Sequence, residues 1–443
     1  MTFSDLNLNK PLLNALNDLG YQYPTTIQAK AFSVIMSGRD VCGIAQTGTG
    51  KTFAYLLPCL RQWQFAKDRF PQILIMVPTR ELVVQVVDEV KKLTTYMNTV
   101  VIGAYGGANI KTQIAEIYTG VDVVVATPGR LFDLILNGAL KLKALKKLVI
   151  DEVDEMLNLG FRHQLTNILD LLPAKRQSLL FSATISDDVE KLMQVFFNNP
   201  IRIDAVPVGT PLENIVQTAY HVPNFNTKVN LLKLLLSNDA TLTKVLVFAS
   251  TKQMVDDIHQ QLYNKFSDQI GVIHSNKSQN YRFNSVEQFK NGTYRVLIAT
   301  DIIARGIDIS EVTHVINFDT PEIPETYIHR IGRTGRIDKQ GISITFITKK
   351  EKESKKKIES LMKYKIKLLP LPNDLEISEV LTQDEMPKIN MKTIQIKNPK
   401  IDLENSAFHE KKEKNKKVNM KVTRADQMKL KYGKPKTRGQ KKK

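Results

Sequence analysis

The chain has 443 residues, of which 42% are hydrophobic, and its 63 Lys and Arg outnumber 45 Asp and Glu to give a net charge of +18. This length exceeds the size at which a single hydrophobic core stops growing, so it predicts two domains plus additional segments, and the hydrophobic fraction is sufficient for packed cores. The cysteines, Cys42 and Cys59, form no disulfide framework, and without a signal peptide or an apolar run of about 20 residues we expect a soluble, cytoplasmic protein with no membrane association.

The first half alternates strand-like and helix-like segments. Between residues 35 and 205, stretches of helical period separate short and nearly continuous apolar runs. Strands of this kind are buried on both faces, which predicts a parallel sheet covered by helices on both sides. The predicted strands are DVCGIAQ (40–46), QILIMVP (72–78), VVIGAYG (100–106), DVVVATP (122–128), KKLVIDE (146–152), QSLLFSA (177–183) and PIRIDA (200–205).

A Gly-rich segment, AQTGTGKT at 45–52, follows the first predicted strand and precedes a helix-like run. In such a loop the backbone N–H groups cradle phosphate oxygens, the lysine reaches the β- and γ-phosphates, and the next hydroxyl reaches Mg²⁺. The alternative, a chance glycine-rich turn, does not account for the motifs that follow. The predicted nucleotide-binding residues are Ala45, which departs from the glycine of the strict motif, Gln46, Thr47, Gly48, Thr49, Gly50, Lys51 and Thr52.

Two adjacent acids, Asp151 and Glu152, end the apolar run LKKLVI. They fall at the carboxyl end of a predicted strand, which is the edge where open α/β sheets bind ligands. An acid there can hold Mg²⁺, as we predict for Asp151, and a second can orient or deprotonate an attacking water, as we predict for Glu152. An isolated acidic string is commonly a solvated turn, but its pairing with the phosphate loop favours the catalytic interpretation.

The alternation restarts after Tyr220, beyond a segment with two prolines and no sustained period that predicts a linker over residues 206–218. We predict a second parallel sheet from VLVFAS (245–250), IGVIHS (270–275), YRVLIATD (294–301), THVINFD (313–319) and GISITFIT (341–348).

The second half also contains HRIGRTGR at 329–336, with Arg333 and Arg336 three positions apart. Arginine binds phosphate oxygens in two places and neutralises the charge that develops on a transferred phosphoryl group. Together with Lys51, these arginines predict a nucleotide site divided between the two halves of the chain. The alternative is a basic cluster on the surface.

Beyond Pro372 the periodicity fades into a polar, Lys-rich stretch, which predicts a disordered or weakly helical tail over residues 373–443. Residues 411–443 hold 15 Lys and Arg but only two acids, a net charge of +13. Such a tail favours polyanions through counterion release. The alternative is a solvated tail that only increases solubility.

The motifs DEVD (151–154), SAT (182–184) and HRIGRTGR (329–336) together resemble the signature set of DEAD-box RNA helicases, superfamily 2 ATPases built from two RecA-like domains. The resemblance extends over residues 1–370, and IHSNKSQ at 273–279 is most similar to the RhlE-type branch of the bacterial family. Further matching segments are GYQYPTTIQ (20–28), PTREL (78–82), TPGR (127–130), FAST (248–251), the pair Gln279 and Arg282, and ATDIIARGID (299–308).

This resemblance implies an α/β fold with two tandem RecA-like domains. The expected N-terminal ATP-binding domain with its Q motif covers residues 1–205, and the linker covers 206–218. The C-terminal helicase domain then covers residues 219–372, followed by the basic tail at 373–443. Val153 and Ile303 replace alanines that are usual in the family, and for Val153 we expect modest repacking without loss of activity.

The resemblance also assigns nucleotide contacts. It implies that Gln28 reads the adenine edge, for which its amide offers both a donor and an acceptor, and that Phe3 stacks on the base. Asp308 would meet the ribose, and Arg333 and Arg336 the γ-phosphate. The SAT residues Ser182 and Thr184 would link hydrolysis to the RNA-bound state, and His329 would make a hydrogen bond between the domains.

For RNA, the resemblance implies contacts to the phosphate backbone rather than to bases, so that binding is largely independent of sequence. The implied residues are Thr79, Arg80, Gly106, Gly107, Thr127 and Arg130 in the first domain and Arg282 and Thr300 in the second.

We therefore predict an ATP- and Mg²⁺-dependent RNA helicase that unwinds RNA duplexes locally or remodels RNA–protein complexes, and that acts as a monomer. Two alternatives stay open: an ATP-gated RNA clamp or chaperone that does not unwind, and a DNA-directed translocase of the same superfamily. Ribosome assembly, RNA decay and cold adaptation are all compatible with such a core, and ribosomal or RNA-decay proteins are candidate partners.

Overall fold

The computed structural model describes residues 1–45, 49–204, 214–301, 312–335, 340–386 and 424–433. These belong to two compact units, Met1–Met386 and Pro387–Lys443. Several residues named above lie outside the described ranges: Gln46, Thr47, Gly48, Ile303, Asp308, Arg336 and residues 206–213 of the predicted linker.

The first sheet of the larger unit has seven parallel strands in the described residues, in the order β3-β4-β2-β5-β6-β1-β7. Each predicted strand of the first half is present, trimmed by one to three residues. Their bounds are β1 Val41–Ile44, β2 Ile73–Met76, β3 Val101–Ala104, β4 Val123–Ala126, β5 Lys147–Asp151, β6 Gln177–Ser182 and β7 Ile201–Asp204.

Helices cover both faces of this sheet because successive strand residues point to opposite sides and both sides are apolar. In β2, for example, Ile73 and Ile75 join one buried cluster, whereas Leu74 and Met76 join another. A 3₁₀ turn, Phe3–Leu6, precedes the helices. These are α1 Lys10–Asp18, α2 Thr26–Met36, α3 Lys51–Arg61, α4 Arg80–Leu93, α5 Ile110–Tyr118, α6 Pro128–Leu136, α7 Val153–Asn158, α8 Arg162–Leu171 and α9 Asp187–Phe196.

The second sheet of the larger unit repeats this architecture, with the described strands in the order β10-β11-β9-β12-β13-β8-β14, all parallel. The α/β fold with two parallel sheets is therefore confirmed. The strands are β8 Ile215–His221, β9 Val245–Phe248, β10 Ile270–Ile273, β11 Val296–Ala299, β12 His314–Asn317, β13 Gly341–Ile347 and β14 Lys367–Leu369. The helices are α10 Phe225–Asn238, α11 Lys252–Phe266, α12 Gln279–Lys290, α13 Pro324–Ile331 and α14 Lys352–Met362, with a 3₁₀ turn at Ser267–Gln269.

The predicted linker is too long at its C-terminal end, because residues 215–218 already belong to β8. In β8 buried and more exposed residues alternate, so the strand lacks the continuous apolar run by which the other strands were recognised. It pairs with β13 over its whole length and with β14 on its other side.

Residues 374–386, which were assigned to the tail, lie along α10, and we name them the α10 strap. The side-chain amides of Asn224, Asn226 and Asn230 donate to the carbonyls of Ser378, Val380 and Glu376 at 2.6, 2.8 and 3.0 Å. Hydropathy did not predict this segment because its backbone is held by polar side chains of a helix that is distant in sequence. The second compact unit contains the described helix α15, Arg424–Tyr432.

No helix among the described residues has the length and apolar character needed to cross a bilayer.

Candidate active site and nucleic-acid interface

The predicted site residues gather at the carboxyl edges of the two sheets, and the strand order sorts them. In the first sheet, the predicted RNA contacts follow β2, β3 and β4, which are neighbours at one end of the sheet. The described residues of the phosphate loop, the acidic motif and the SAT motif lie at the ends of β1, β5 and β6, which are neighbours further along. The sequence alone did not predict this separation, because it depends on strand order rather than chain order.

The phosphate loop ends at Gly50, which has φ +88° and caps the N-terminus of α3. Its carbonyl accepts a hydrogen bond of 3.1 Å from Gln28 Nε2, while Gln28 Oε1 accepts one of 2.9 Å from the Thr25 N–H. The residue predicted to read adenine is therefore already fixed to the loop that would hold the phosphates.

Lys51 begins α3 with its side chain buried at 6% exposure. Its Nζ makes no hydrogen bond to any described residue, although the ammonium lies near three acids, whose pKa values it lowers. A buried ammonium without a hydrogen-bond acceptor suits a site for an anionic ligand. Helix N-termini favour the same charge.

The three acids lie where β5 passes into α7. Asp151 ends the strand, Glu152 adopts a left-handed conformation with φ 52°, and Asp154 is on the first turn of the helix. The Glu152 N–H donates to Asp151 Oδ1 at 2.9 Å, and Asp154 Oδ2 accepts from Thr184 N and Oγ1 at 3.0 and 2.9 Å. The SAT segment is thus hydrogen-bonded to the acidic motif.

Burial and charge give these acids different pKa values. Burial raises the pKa of Glu152, against the lowering effects of Lys51 and Arg333, and it also raises the pKa of Asp151 against Lys51. Burial acts in the same direction on Asp154, but the contact with His329, the charge of Lys51 and the hydrogen bonds from Thr184 outweigh it, so its pKa lies well below its usual range. Asp154 is therefore a fixed anion, whereas Glu152 is the better proton acceptor.

The second sheet contributes α13 and the turn that follows it. His329 Nε2 lies 3.7 Å from Asp154 Oδ2, longer than a hydrogen bond but an ion-pair distance when the ring is protonated. Arg333 is buried at 4% exposure, close enough to Glu152 to lower its pKa. The two parts of the predicted nucleotide site, far apart in sequence, meet in the structure.

The residues predicted to contact RNA in the first domain are held in place by other residues of that domain. Thr79 and Thr127 are the N-cap residues of α4 and α6. Arg130 donates to Gln113 Oε1 at 2.6 Å and to the Ala108 carbonyl at 3.0 Å. Gly106 and Gly107 lie against the Arg80 guanidinium, and at Gly107 a Cβ would come within 2.1 Å of Arg80 Nη1.

Two contacts join predicted RNA residues of one domain to residues of the other domain. Arg80 Nη1 donates to Gln279 Oε1 at 3.3 Å, and Arg282 Nη1 forms a buried ion pair of 2.8 Å with Glu81 Oε1. Arg282 thus faces a carboxylate of the first domain, and its predicted role at RNA phosphate stays a prediction. Thr300, also buried, follows β11, and its N–H donates to the Ile273 carbonyl.

Phe3 is placed differently from its predicted role. Its side chain is 4% exposed and belongs to the core cluster of the first sheet, and its N–H donates to the Gln22 carbonyl at 3.2 Å. The ring therefore presents little surface to a base in this arrangement, and stacking stays a prediction.

Sequence analysis assigned no role to Asp154, Glu81 or Arg330, although each makes a buried ionic contact here. The available signals were weak: Asp154 and Glu81 lie within matched motifs, and Arg330 follows His329. Their partners are far away in the chain, so spacing could not identify them.

Two family models match the chain. The model described as "DEAD/DEAH box helicase" matches residues 25–192, and that described as "Helicase conserved C-terminal domain" matches residues 227–338. Together they cover most strands of both sheets and most of the motifs named above.

Individual relatives agree. The chain is 39% identical to the DEAD-box ATP-dependent RNA helicase CshA of Geobacillus kaustophilus, over 84% of this chain and 79% of that protein. It is 41% identical to DEAD-box ATP-dependent RNA helicase 24 of Oryza sativa, over 79% of this chain but only 46% of that protein. The chain thus spans less than half the length of the rice relative. The RhlE-type assignment stays a prediction.

Solved structures match the fold, with different overall similarity. S. cerevisiae Dbp5 bound to RNA and ADP BeF3 is 28% identical and covers 84% of this chain and 96% of that chain, with a TM-score of 0.76. An S. cerevisiae Dbp5 variant bound to Nup159, Gle1, IP6 and ADP is 26% identical and covers 82% of this chain and 96% of that chain, with a TM-score of 0.59. The tandem RecA-like fold is therefore confirmed, and the chain superposes better on the RNA-bound neighbour than on this ADP-bound one.

Proposed function

Because this chain belongs to the DEAD-box family of ATP-dependent RNA helicases, which are RNA-stimulated ATPases, we propose that it couples ATP hydrolysis to local unwinding of RNA duplexes or remodelling of RNA–protein complexes. The observation that carries the proposal is the junction of the two halves at the nucleotide site: Lys51, Glu152 and Asp154 from one sheet lie beside His329 and Arg333 from the other.

In the proposed reaction, Lys51 and the phosphate loop bind the ATP phosphates, and Gln28 selects adenine. Glu152 orients the attacking water and accepts its proton, for which the raised pKa of its carboxyl group is suited. Arg333 stabilises the charge that develops on the γ-phosphoryl group, and we assign the same role to Arg336. The contribution of Arg333 depends on the two halves being together.

The residues present fit Mg²⁺. Thr52 and Asp151 would hold it with a hydroxyl oxygen and a carboxylate oxygen. This suits Mg²⁺, which commonly binds one or two protein ligands together with waters and phosphate oxygens. When bound, the ion would neutralise charge on the β- and γ-phosphates.

RNA would bind along the carboxyl edges of the two sheets, beside the nucleotide residues. Thr79, Arg80, Thr127 and Arg130 lie after β2 and β4, while Thr300 and Arg282 lie after β11 and on α12. The contacts of Arg80 with Gln279 and of Glu81 with Arg282 mean that closing the domains also fixes these side chains. The higher TM-score with the RNA-bound neighbour supports this arrangement as the active one. A monomeric state and a cytoplasmic location complete the proposal and rest on sequence.

The test is the change Glu152→Gln, which keeps the size of the side chain but removes the proton acceptor. We expect RNA-stimulated kcat to fall by about 100-fold or more, since general base catalysis typically contributes 10²–10⁴-fold. ATP and RNA affinities should stay within a few-fold. Glu190→Gln, on the exposed surface of α9, is the matched control and should turn over normally.

A Glu152→Gln protein that hydrolyses ATP at the wild-type rate would contradict the proposed mechanism. Two further measurements separate the alternatives. An RNA clamp would hydrolyse ATP without separating a short RNA duplex, and a DNA-directed translocase would be stimulated by single-stranded DNA at least as well as by RNA.

A further inference from the structure

Arg330, on α13, is the largest side chain among the fully buried residues, with 1% of its surface exposed. It follows His329 directly and precedes Arg333 by three positions. No catalytic or binding role has been assigned to it above. An arginine is seldom buried this completely without several compensating partners.

Its guanidinium is shared between two carboxylates. Nε and Nη2 donate to Asp301 Oδ1 and Oδ2 at 2.5 and 2.8 Å, the bidentate geometry in which arginine pairs are strongest. Nη1 donates to the Asp319 carbonyl at 2.7 Å, and both Nη atoms lie 3.2 Å from Asp319 Oδ1. The guanidinium also lies 5.4 Å from the centre of the Phe248 ring.

These contacts join the ends of three adjacent strands to one helix. Asp301 comes directly after Thr300, the predicted RNA contact at the end of β11. Asp319 follows β12, and its Oδ2 accepts a hydrogen bond of 2.7 Å from the Ser250 N–H, beyond β9. Arg330 therefore fixes the RNA-contact end of the sheet to the helix that faces the nucleotide site.

The positive charge of Arg330 is compensated by the carboxylates of Asp301 and Asp319. Burial acts to lower the pKa of Arg330, but Asp301 and Asp319 outweigh it and raise the pKa. A lysine would keep the positive charge but lacks the planar fork needed to hold both carboxylates at once. The change Arg330→Lys therefore separates the effect of the bidentate geometry from the effect of the positive charge.

We propose that Arg330 is a positioning residue that couples RNA binding at the end of β11 to the placement of His329 and Arg333 at the nucleotide site. The inference rests on the proposed function, because it requires that ATP and RNA bind together. A shift of Asp301 when RNA engages Thr300 would pass through the bidentate pair to α13. By reciprocity, nucleotide bound against α13 would tighten RNA binding by the same factor.

A matched control lies at the opposite end of the same strand. Arg295 precedes β11, and its guanidinium donates to the Leu242 and Leu236 carbonyls at 2.6 and 3.0 Å. It therefore holds the fold together through several hydrogen bonds, as Arg330 does, but far from the carboxyl edge. Its replacement should reduce stability without reaching either ligand site.

The experiment compares Arg330→Lys with Arg295→Lys in the full chain. Fluorescence anisotropy gives the affinity for a labelled single-stranded RNA with and without AMP-PNP, and the ratio of the two affinities is the coupling factor. We expect Arg330→Lys to reduce this factor about tenfold, within the usual range of coupling energies. It should lower kcat while leaving the KM for ATP within about twofold, since the phosphate loop is untouched. Arg295→Lys should lower the melting temperature but keep the wild-type factor.

Asp319→Asn is a milder second variant of nearly the same shape, which removes one charge and leaves a single amide oxygen to accept from either Ser250 or Arg330, and it should give an intermediate loss of coupling. A wild-type coupling factor in folded Arg330→Lys or Asp319→Asn, or an equal loss in Arg295→Lys, would overturn the inference and leave the proposed function intact. A wild-type protein whose RNA affinity does not respond to AMP-PNP would overturn both.

Discussion

At the scale of single residues, Gly50 shows how one backbone position joins two parts of the nucleotide site. Its φ of +88° is costly for a residue with a side chain, and a Cβ would come within 2.4 Å of Gln28 Nε2. The close approach is what allows Gln28 to donate to the Gly50 carbonyl. The glycine is therefore required for both the conformation and the contact.

We predict that Gly50→Ala raises the KM for ATP about tenfold or more, because the new methyl group displaces the Gln28 amide and the loop that it holds. Gly138→Ala is the matched control: it has φ +72°, but no atom lies within 4 Å of the position that its Cβ would take. Both changes should destabilise the protein by about 1 kcal/mol through backbone strain. Steady-state ATPase kinetics and thermal unfolding check the two effects, and an equal rise in KM for both variants would contradict this reading.

Val153 is the other informative residue, since it replaces the usual alanine of the acidic motif. Its side chain is fully buried in the core cluster that also contains Met156 and Leu180. The additional methyl groups therefore lie on the core side of α7. This placement agrees with the expected modest repacking, which stays a prediction.

At the scale of elements, the α10 strap extends the second domain beyond the boundary predicted from periodicity. Glu385 anchors its end: Oε1 accepts the Phe225 N–H at 2.6 Å, and Oε2 accepts the N–H and hydroxyl of Thr382, both at 3.1 Å. A carboxylate in this position satisfies the first N–H of α10 and favours the positive end of the helix dipole.

We predict that Glu385→Ala destabilises the strap by about 1 kcal/mol, the usual effect of losing an N-terminal helix cap. Amide hydrogen exchange should accelerate in residues 374–386 and in the first turn of α10, while the first sheet stays protected. Glu379→Ala is the control, because that exposed carboxylate accepts no hydrogen bond within the described part of the chain. Equal exchange in both variants would show that Glu385 does not anchor the strap.

At the scale of the whole molecule, charge is concentrated at one end. Residues 411–443 hold +13 of the net +18, so the remainder of the chain is only weakly basic. In α15, the described part of this stretch, Lys429 and Lys431 are exposed. Long-range attraction to RNA should therefore depend mainly on the tail, whereas the domain edges position the strand.

We predict that deleting residues 411–443 weakens RNA binding and flattens the dependence of log affinity on log salt, because fewer counterions are released. The KM for ATP should change little. A full-length variant with the tail lysines and arginines replaced by glutamine should behave like the deletion, which separates charge from length. Titration of single-stranded RNA over a range of salt concentrations is the measurement, and an unchanged slope would leave the tail without this role.

The sequence by itself determined the elements and the chemistry. Apolar runs and helical periods predicted twelve of the described strands, since local burial patterns follow directly from side-chain type. The motifs predicted Lys51, Asp151, Glu152 and Arg333 as residues of the nucleotide site. The same motifs indicated the family. Local patterns did not predict β8, the three-residue strand β14 or the α10 strap, because these segments lack a continuous apolar signal.

Only the tertiary structure decided how these parts meet. Strand order placed the predicted RNA contacts and the predicted nucleotide contacts in separate parts of one edge of the first sheet. The contacts of His329 with Asp154, Arg282 with Glu81 and Arg330 with Asp301 each join residues that are distant in the chain. Such pairs depend on the packing of whole sheets and helices. The position of a buried charge in the sequence therefore does not identify the oppositely charged residue that compensates it.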